Sequence, residues 1–76
     1  PQPEFLKQVL DDYGLNPSET VMVGNDLTTD IAVAEAVGID GILLNTFPYS
    51  RRELENSPIK PDRVITDIEA LKTNFT

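Results

Sequence analysis

The chain has 76 residues with neither cysteine nor histidine. That bounds it to one domain at most and excludes disulfide staples, thiolate zinc sites and any Ser-His-Asp or Cys-His catalytic device. Thirteen acidic residues against six basic ones leave a net charge of −7, and the only basic doublet is Arg51-Arg52; nucleic-acid binding needs a basic footprint and is set aside. No apolar run approaches the ~20 residues of a membrane span, and "PQPEFLKQ" lacks the basic start and apolar stretch of a signal peptide, so a soluble, cytoplasmic chain is expected.

In chain order, "PEFLKQVLDDY" carries apolar residues at Phe5, Leu6, Val9, Leu10 and Tyr13, a helical spacing. Pro3 suits the first turn of that helix and Gly14 the position just past its end. The period then changes. Val21, Met22 and Val23 form a short apolar run closed by Gly24, the pattern of a strand buried on both faces. Helical spacing returns from Thr29 through Ile31, Ala34 and Val37 to a stop at Gly38, and alanines at 32, 34 and 36 keep this helix slim against a sheet. "GILLN" (Gly41 to Asn45) predicts a second buried strand. An irregular stretch, "TFPYSRRELENSPIKPD", opens with Thr46, Phe47, Pro48 and Tyr49, which read as an aromatic-Pro-aromatic turn packed on the core ahead of the alternative of lining a site rim at the same sheet edge, and contains one short helix around Arg51 to Glu55. "RVIT" offers a third strand, and "TDIEALKTNF" a last helix with a capping box from Thr66 to Glu69.

Strands alternating with helices are the grammar of a parallel α/β sheet. The expected fold is part of a Rossmann-like parallel sheet flanked by helices, with about three strands and three to four helices. A chain this short buries only somewhat more than about 60% of its unfolded surface, and so few strands make a poor open sheet. The domain is therefore expected to be incomplete, with strand neighbours supplied by a missing N-terminal half or by a second copy of the chain.

The chemically notable residues gather where the first strand ends. In open α/β sheets ligands bind beyond the carboxyl ends of the strands, and Gly24, Asn25 and Asp26 occupy that position just ahead of a helix, with Asp30 in its first turn. Gly24 permits a tight exit and close approach of backbone to a ligand. A helix N-terminus favours an anion such as phosphate, and carboxylate oxygens suit magnesium, whose shell is commonly completed by water and phosphate. Phosphate beside carboxylates is repulsive without an intervening cation, which points to magnesium and phosphate together. The plainer reading is helix capping: Thr28 or Thr29 as N-cap and Asp30 complementing the helix dipole. Local chemistry alone leaves both open.

The segment "VMVGNDLTTDIAVAEAVGIDGILLN" resembles the fourth motif of the haloacid dehalogenase-like (HAD) hydrolases, in which a strand ends in Gly-Asp and a second acid follows a few positions on. The likeness runs from about Pro3 to Asn45. Matched residue by residue, Gly24 takes the place of the motif glycine and Asp30 that of the second acid. Asn25 stands where most members carry the first metal-ligating Asp, with Asp26 next to it, so either could take the metal. The resemblance implies a magnesium-dependent phosphohydrolase acting on a small phosphorylated substrate through an aspartyl-phosphate. It also implies that this chain holds the metal loop without the nucleophile, since no Asp-x-Asp occurs in it. The family's phosphate-binding Ser/Thr has no place here, and its lysine would lie just before Pro1; Lys7 more naturally sits on the solvent face of its helix. No catalytic residue is assigned within the chain. Two rival readings stand beside this one: a non-catalytic module that pairs or dimerises through an exposed sheet edge, and a family member whose Asn25 marks lost metal binding.

Overall fold

The computed structural model describes residues 3–46 and 48–75. Phe47, expected in an aromatic-Pro-aromatic turn, lies outside them. Three parallel strands lie in the order β1 (Val21–Gly24), β2 (Asp40–Leu44), β3 (Arg63–Ile65). Around them are helices α1 (Pro3–Asp12), α2 (Ala32–Val37), α3 (Arg51–Asn56) and α4 (Ala70–Phe75). Val21 pairs with Asp40 and Gly24 with Leu43, while Ile42 and Leu44 face Arg63 and Ile65. This is the α/β arrangement that the alternation of periods predicts.

Strand alternation places Met22, Gly41 and Leu43 on one face. Over it lies one cluster of Leu10, Ala34 and Ile39, joined by Leu6, Met22 and Val37, and a second of Leu27, Ile31 and Leu43, joined by Tyr49, Leu54 and Ile59. Ala34 is fully buried, and a Cβ on Gly41 would stand 3.3 Å from two Ile31 methyl carbons and 3.4 Å from the Ala34 Cβ. Small side chains on both elements therefore let α2 approach β2 closely. Only Ala34 of the three alanines performs that task in full, since Ala36 is exposed. Helices α1 and α2 both end on glycines with positive φ, Gly14 at 63° and Gly38 at 87°, where a side chain would be strained.

Several local expectations need correction. Strand β1 is not buried on both faces: Val21 is 39% exposed and the strand has one neighbour, β2, among the described residues. Phe5 and Tyr13 share the apolar pattern of α1, yet they stand 68% and 76% exposed beside the buried Leu10. The Thr66–Glu69 capping box does not form. Asp67 Oδ1 instead accepts from the Glu69 amide at 2.8 Å, and α4 begins at Ala70. A true capping box sits on α3, where Ser50 Oγ accepts from the Glu53 amide at 3.1 Å and Glu53 Oε1 accepts from the Ser50 amide at 2.9 Å. Both stretches read Ser/Thr-x-x-Glu, and the short Asx reach of Asp67 displaces Thr66 as the cap. Lys7 is exposed, as expected, and Arg51 makes a surface pair with Glu55 at 3.8 Å. Among the described residues no helix is long and apolar enough to cross a membrane.

Candidate functional site

The polar cluster forms where β1 runs into α2. After Gly24 the chain enters a wide turn over Leu27–Ile31, closed by hydrogen bonds that span five residues: the Ile31 amide donates to the Asp26 carbonyl at 3.2 Å, and the Ala32 amide to that of Leu27. The turn widens the entry to α2. Its N-cap is Asp26, not Thr28 or Thr29. The Asp26 backbone is extended, and its Oδ1 accepts from the Thr28 amide at 2.9 Å and from the Thr28 hydroxyl at 2.8 Å. The Thr28 hydroxyl, then the Thr28 amide, hold the Asp26 carboxyl below its ordinary 3.8; partial burial opposes them weakly, and the Thr29 amide adds to them.

Asp30 is held differently. Its side chain lies directly on Gly24, so that a Cβ at position 24 would overlap the Asp30 Cβ, Cγ and Oδ2. Gly24 is thus glycine for space. It leaves the strand mouth open for the carboxylate of the following turn. Asn25, next to Gly24 in the chain, is exposed.

Asn25 and Asp26 line an open cleft of about 480 Å³ with Pro48, Tyr49 and Glu53; Asp30 is not part of its wall. Of the four residues singled out in the sequence, two pairs are therefore assembled: Gly24 with Asp30 by contact, and Asn25 with Asp26 around the cleft. Tyr49 and Glu53 enter from the loop after β2 and from α3. The Tyr49 hydroxyl oxygen accepts from the Leu27 amide at 3.3 Å. The sequence favours core packing over the rim for Tyr49; it is half-buried and does both, packing on the cluster of Leu27, Ile31 and Leu43 while lining the cleft. Nothing in the sequence announces a bond between residues 22 apart.

The donor set bears on which ion would suit the loop. Asn25, Asp26 and Asp30 offer oxygen alone, with no nitrogen or sulfur, which fits a hard cation such as magnesium. Among the described residues no group of three His, Cys, Asp or Glu side chains converges. A cation here would complete its shell with the Asn25 side-chain oxygen, water, a substrate oxygen or groups from outside these residues. Oδ1 of Asp26 is engaged by Thr28 and Oδ2 takes no part in those bonds.

The sequence profile described as HAD-hydrolase-like matches residues 1–71. The chain belongs to the HAD-like hydrolase family. Within this family it is 36% identical over 70 residues to phospholysine phosphohistidine inorganic pyrophosphate phosphatase of Danio rerio, covering 92% of the chain and 26% of that protein. It is 35% identical over 66 residues to human haloacid dehalogenase-like hydrolase domain-containing protein 2, covering 87% and 25%. Glyceraldehyde 3-phosphate phosphatase of Pyrococcus furiosus is 32% identical over 71 residues, covering 93% and 29%. The chain thus spans about a quarter of the length of these HAD-like relatives.

Proposed function

We propose that residues 1–76 are the C-terminal part of the core domain of a magnesium-dependent HAD-like phosphohydrolase, contributing the metal-holding loop and no nucleophile. The observation that carries this reading is the fit of Asp30 onto Gly24 at the mouth of β1. A side chain at position 24 would displace the carboxylate, whereas a mere helix-dipole acid has no need of a bare glycine beneath it. The phosphatase names of two relatives from vertebrate and archaeal sources support the same chemistry.

On this reading Asp30, Asp26 and the side-chain oxygen of Asn25 are the residues that would hold the ion. When bound, magnesium would neutralise charge on the phosphate and on the attacking carboxylate. The chain's own residues prepare for it. Thr28 fixes one oxygen of Asp26 and holds the group ionised, and Gly24 gives Asp30 its place. Asn25 supplies a neutral donor where a third carboxylate would add repulsion. The substrate is a small phosphorylated molecule, the protein is cytoplasmic, and nucleic acid and membrane have no part. The edge of β1, unpaired among the described residues, supports a second reading, in which this edge pairs with a complementary segment or a second copy.

The test is hydrolysis by the full-length protein containing this chain, with and without magnesium, against a phosphate monoester, a phosphoramidate and inorganic pyrophosphate. Magnesium-dependent turnover of at least one is expected. Asp30→Asn and Gly24→Ala are each expected to lower it about 10- to 100-fold, the scale of lost metal-site support. No turnover on any of the three, or an Asp30→Asn variant as active as the parent, would overturn the proposal.

A further inference from the structure

We infer that Tyr49 is a positioning residue for the acidic loop, acting through the amide of Leu27; the inference rests on the magnesium reading above. Leu27 directly follows Asp26 and opens the wide turn. The first amides of a helical turn have no partner within it. Here Asp26 Oδ1 serves the Thr28 amide, and the Tyr49 hydroxyl oxygen serves that of Leu27 at 3.3 Å. Leu27 is only 3% exposed, and a buried amide left without an acceptor is costly. With the hydroxyl in place, that amide is held and Asp26 is fixed from the residue after it.

Tyr49 is itself braced. Its amide donates to Asn45 Oδ1 at 2.8 Å, and the Asn45 Nδ2 donates back to the Tyr49 carbonyl at 3.2 Å. Asn45 follows β2, and its own amide donates to the Ile65 carbonyl of β3 at 2.8 Å. A continuous path therefore runs from the sheet through Asn45 and Tyr49 to Leu27. The ring packs on Leu27, Ile31 and Leu43, so removing the hydroxyl alone separates positioning from packing. Because Tyr49 lines the same cleft as Asn25 and Asp26, the loop it holds is the one that faces a ligand.

The deciding experiment uses the full-length protein, Tyr49→Phe and, as a second variant, Asn45→Ala. Amide exchange at Leu27 without metal is expected to quicken about fivefold in Tyr49→Phe, the scale of one lost neutral hydrogen bond, while Val23 and Ala34 keep their rates. The magnesium midpoint, followed by the amide signals of Asn25 and Asp26, is expected to rise about threefold, with thermal stability lowered by no more than the loss of that one bond accounts for. Asn45→Ala should move the Leu27 rate and the midpoint in the same directions. An unchanged Leu27 rate, a uniform rise that includes Val23, or an unchanged midpoint in Tyr49→Phe overturns the positioning role. A parent protein whose signals do not respond to magnesium overturns the metal reading, and this inference with it.

Discussion

Asp26 accepts two hydrogen bonds from Thr28, and both stabilise its charged form. A carboxyl whose folded value is depressed contributes stability that is fully present above its unfolded value and is lost as pH falls through the folded one. For Asp26 the loss begins near 3.8 and is complete only below its lowered folded value. The expected outcome in metal-free protein is an Asp26 titration midpoint below 3.8, moving upward in Thr28→Val, which removes the larger of the two contributions. Carboxyl-carbon NMR reads this directly. A midpoint at or above 3.8 in the parent would mean that the Thr28 bonds do not persist in solution. The sequence placed these residues correctly at a strand end, because a glycine after an apolar run and a helical period three residues later are visible one-dimensionally. It did not distinguish Asp26 from Thr28 or Thr29 as the cap. That choice depends on a turn closed over five residues, and all three side chains are chemically able to cap.

Strand β2 and helix α2 meet across Gly41, Ile31 and Ala34, and this contact sets how closely the helix rides on the sheet. A Cβ at Gly41 would lie 3.3 Å from Ile31 carbons, tight enough that the isoleucine must shift. Gly41→Ala is expected to stay within about 1 kcal/mol of the parent, since entropy lost from the unfolded chain offsets the crowding. Gly41→Val is expected to destabilise by about 1–3 kcal/mol through overpacking, although strand preference alone favours valine. Urea denaturation of both variants in the full-length protein decides it; a Gly41→Val variant more stable than the parent would show that the contact is looser than it stands here. At this scale the sequence was most readable. Each change from period 3.6 to a short apolar run marked a real boundary within about two residues. The alanines likewise signalled a slim helix. The stripe Ile31, Ala34 and Val37 also marked which alanine faces the sheet, since Ile31 and Ala34 are the residues that meet Gly41. The capping box was misplaced, two stretches sharing one pattern while neighbouring Asp67 competes for the second.

Among the described residues the three-stranded sheet ends at β1, and the side of that strand left unpaired by them offers backbone groups to any further strand. Its residues suit a buried setting better than the one they have: Val21 is 39% exposed, and Phe5 and Tyr13 on and after α1 are more so. The apolar run Val21–Val23 signalled this in the sequence by asking for cover on both faces, which three strands do not supply. The chain spans about a quarter of its relatives' length, so the cover belongs to the remainder of a longer protein in the proposal above. Produced alone, the 76 residues would present the edge to each other. The weight-average mass of the isolated chain is then expected to rise above 8.4 kDa with concentration, in sedimentation equilibrium. Val21→Lys is expected to bring it back down, since a charge on an edge strand opposes pairing there. A chain that stays at 8.4 kDa at every concentration and unfolds cooperatively would show the edge to be self-sufficient. Three strands with α1 and α2 packed on one face would then be a complete folding unit, and the pairing reading would fall while the metal loop kept its own test.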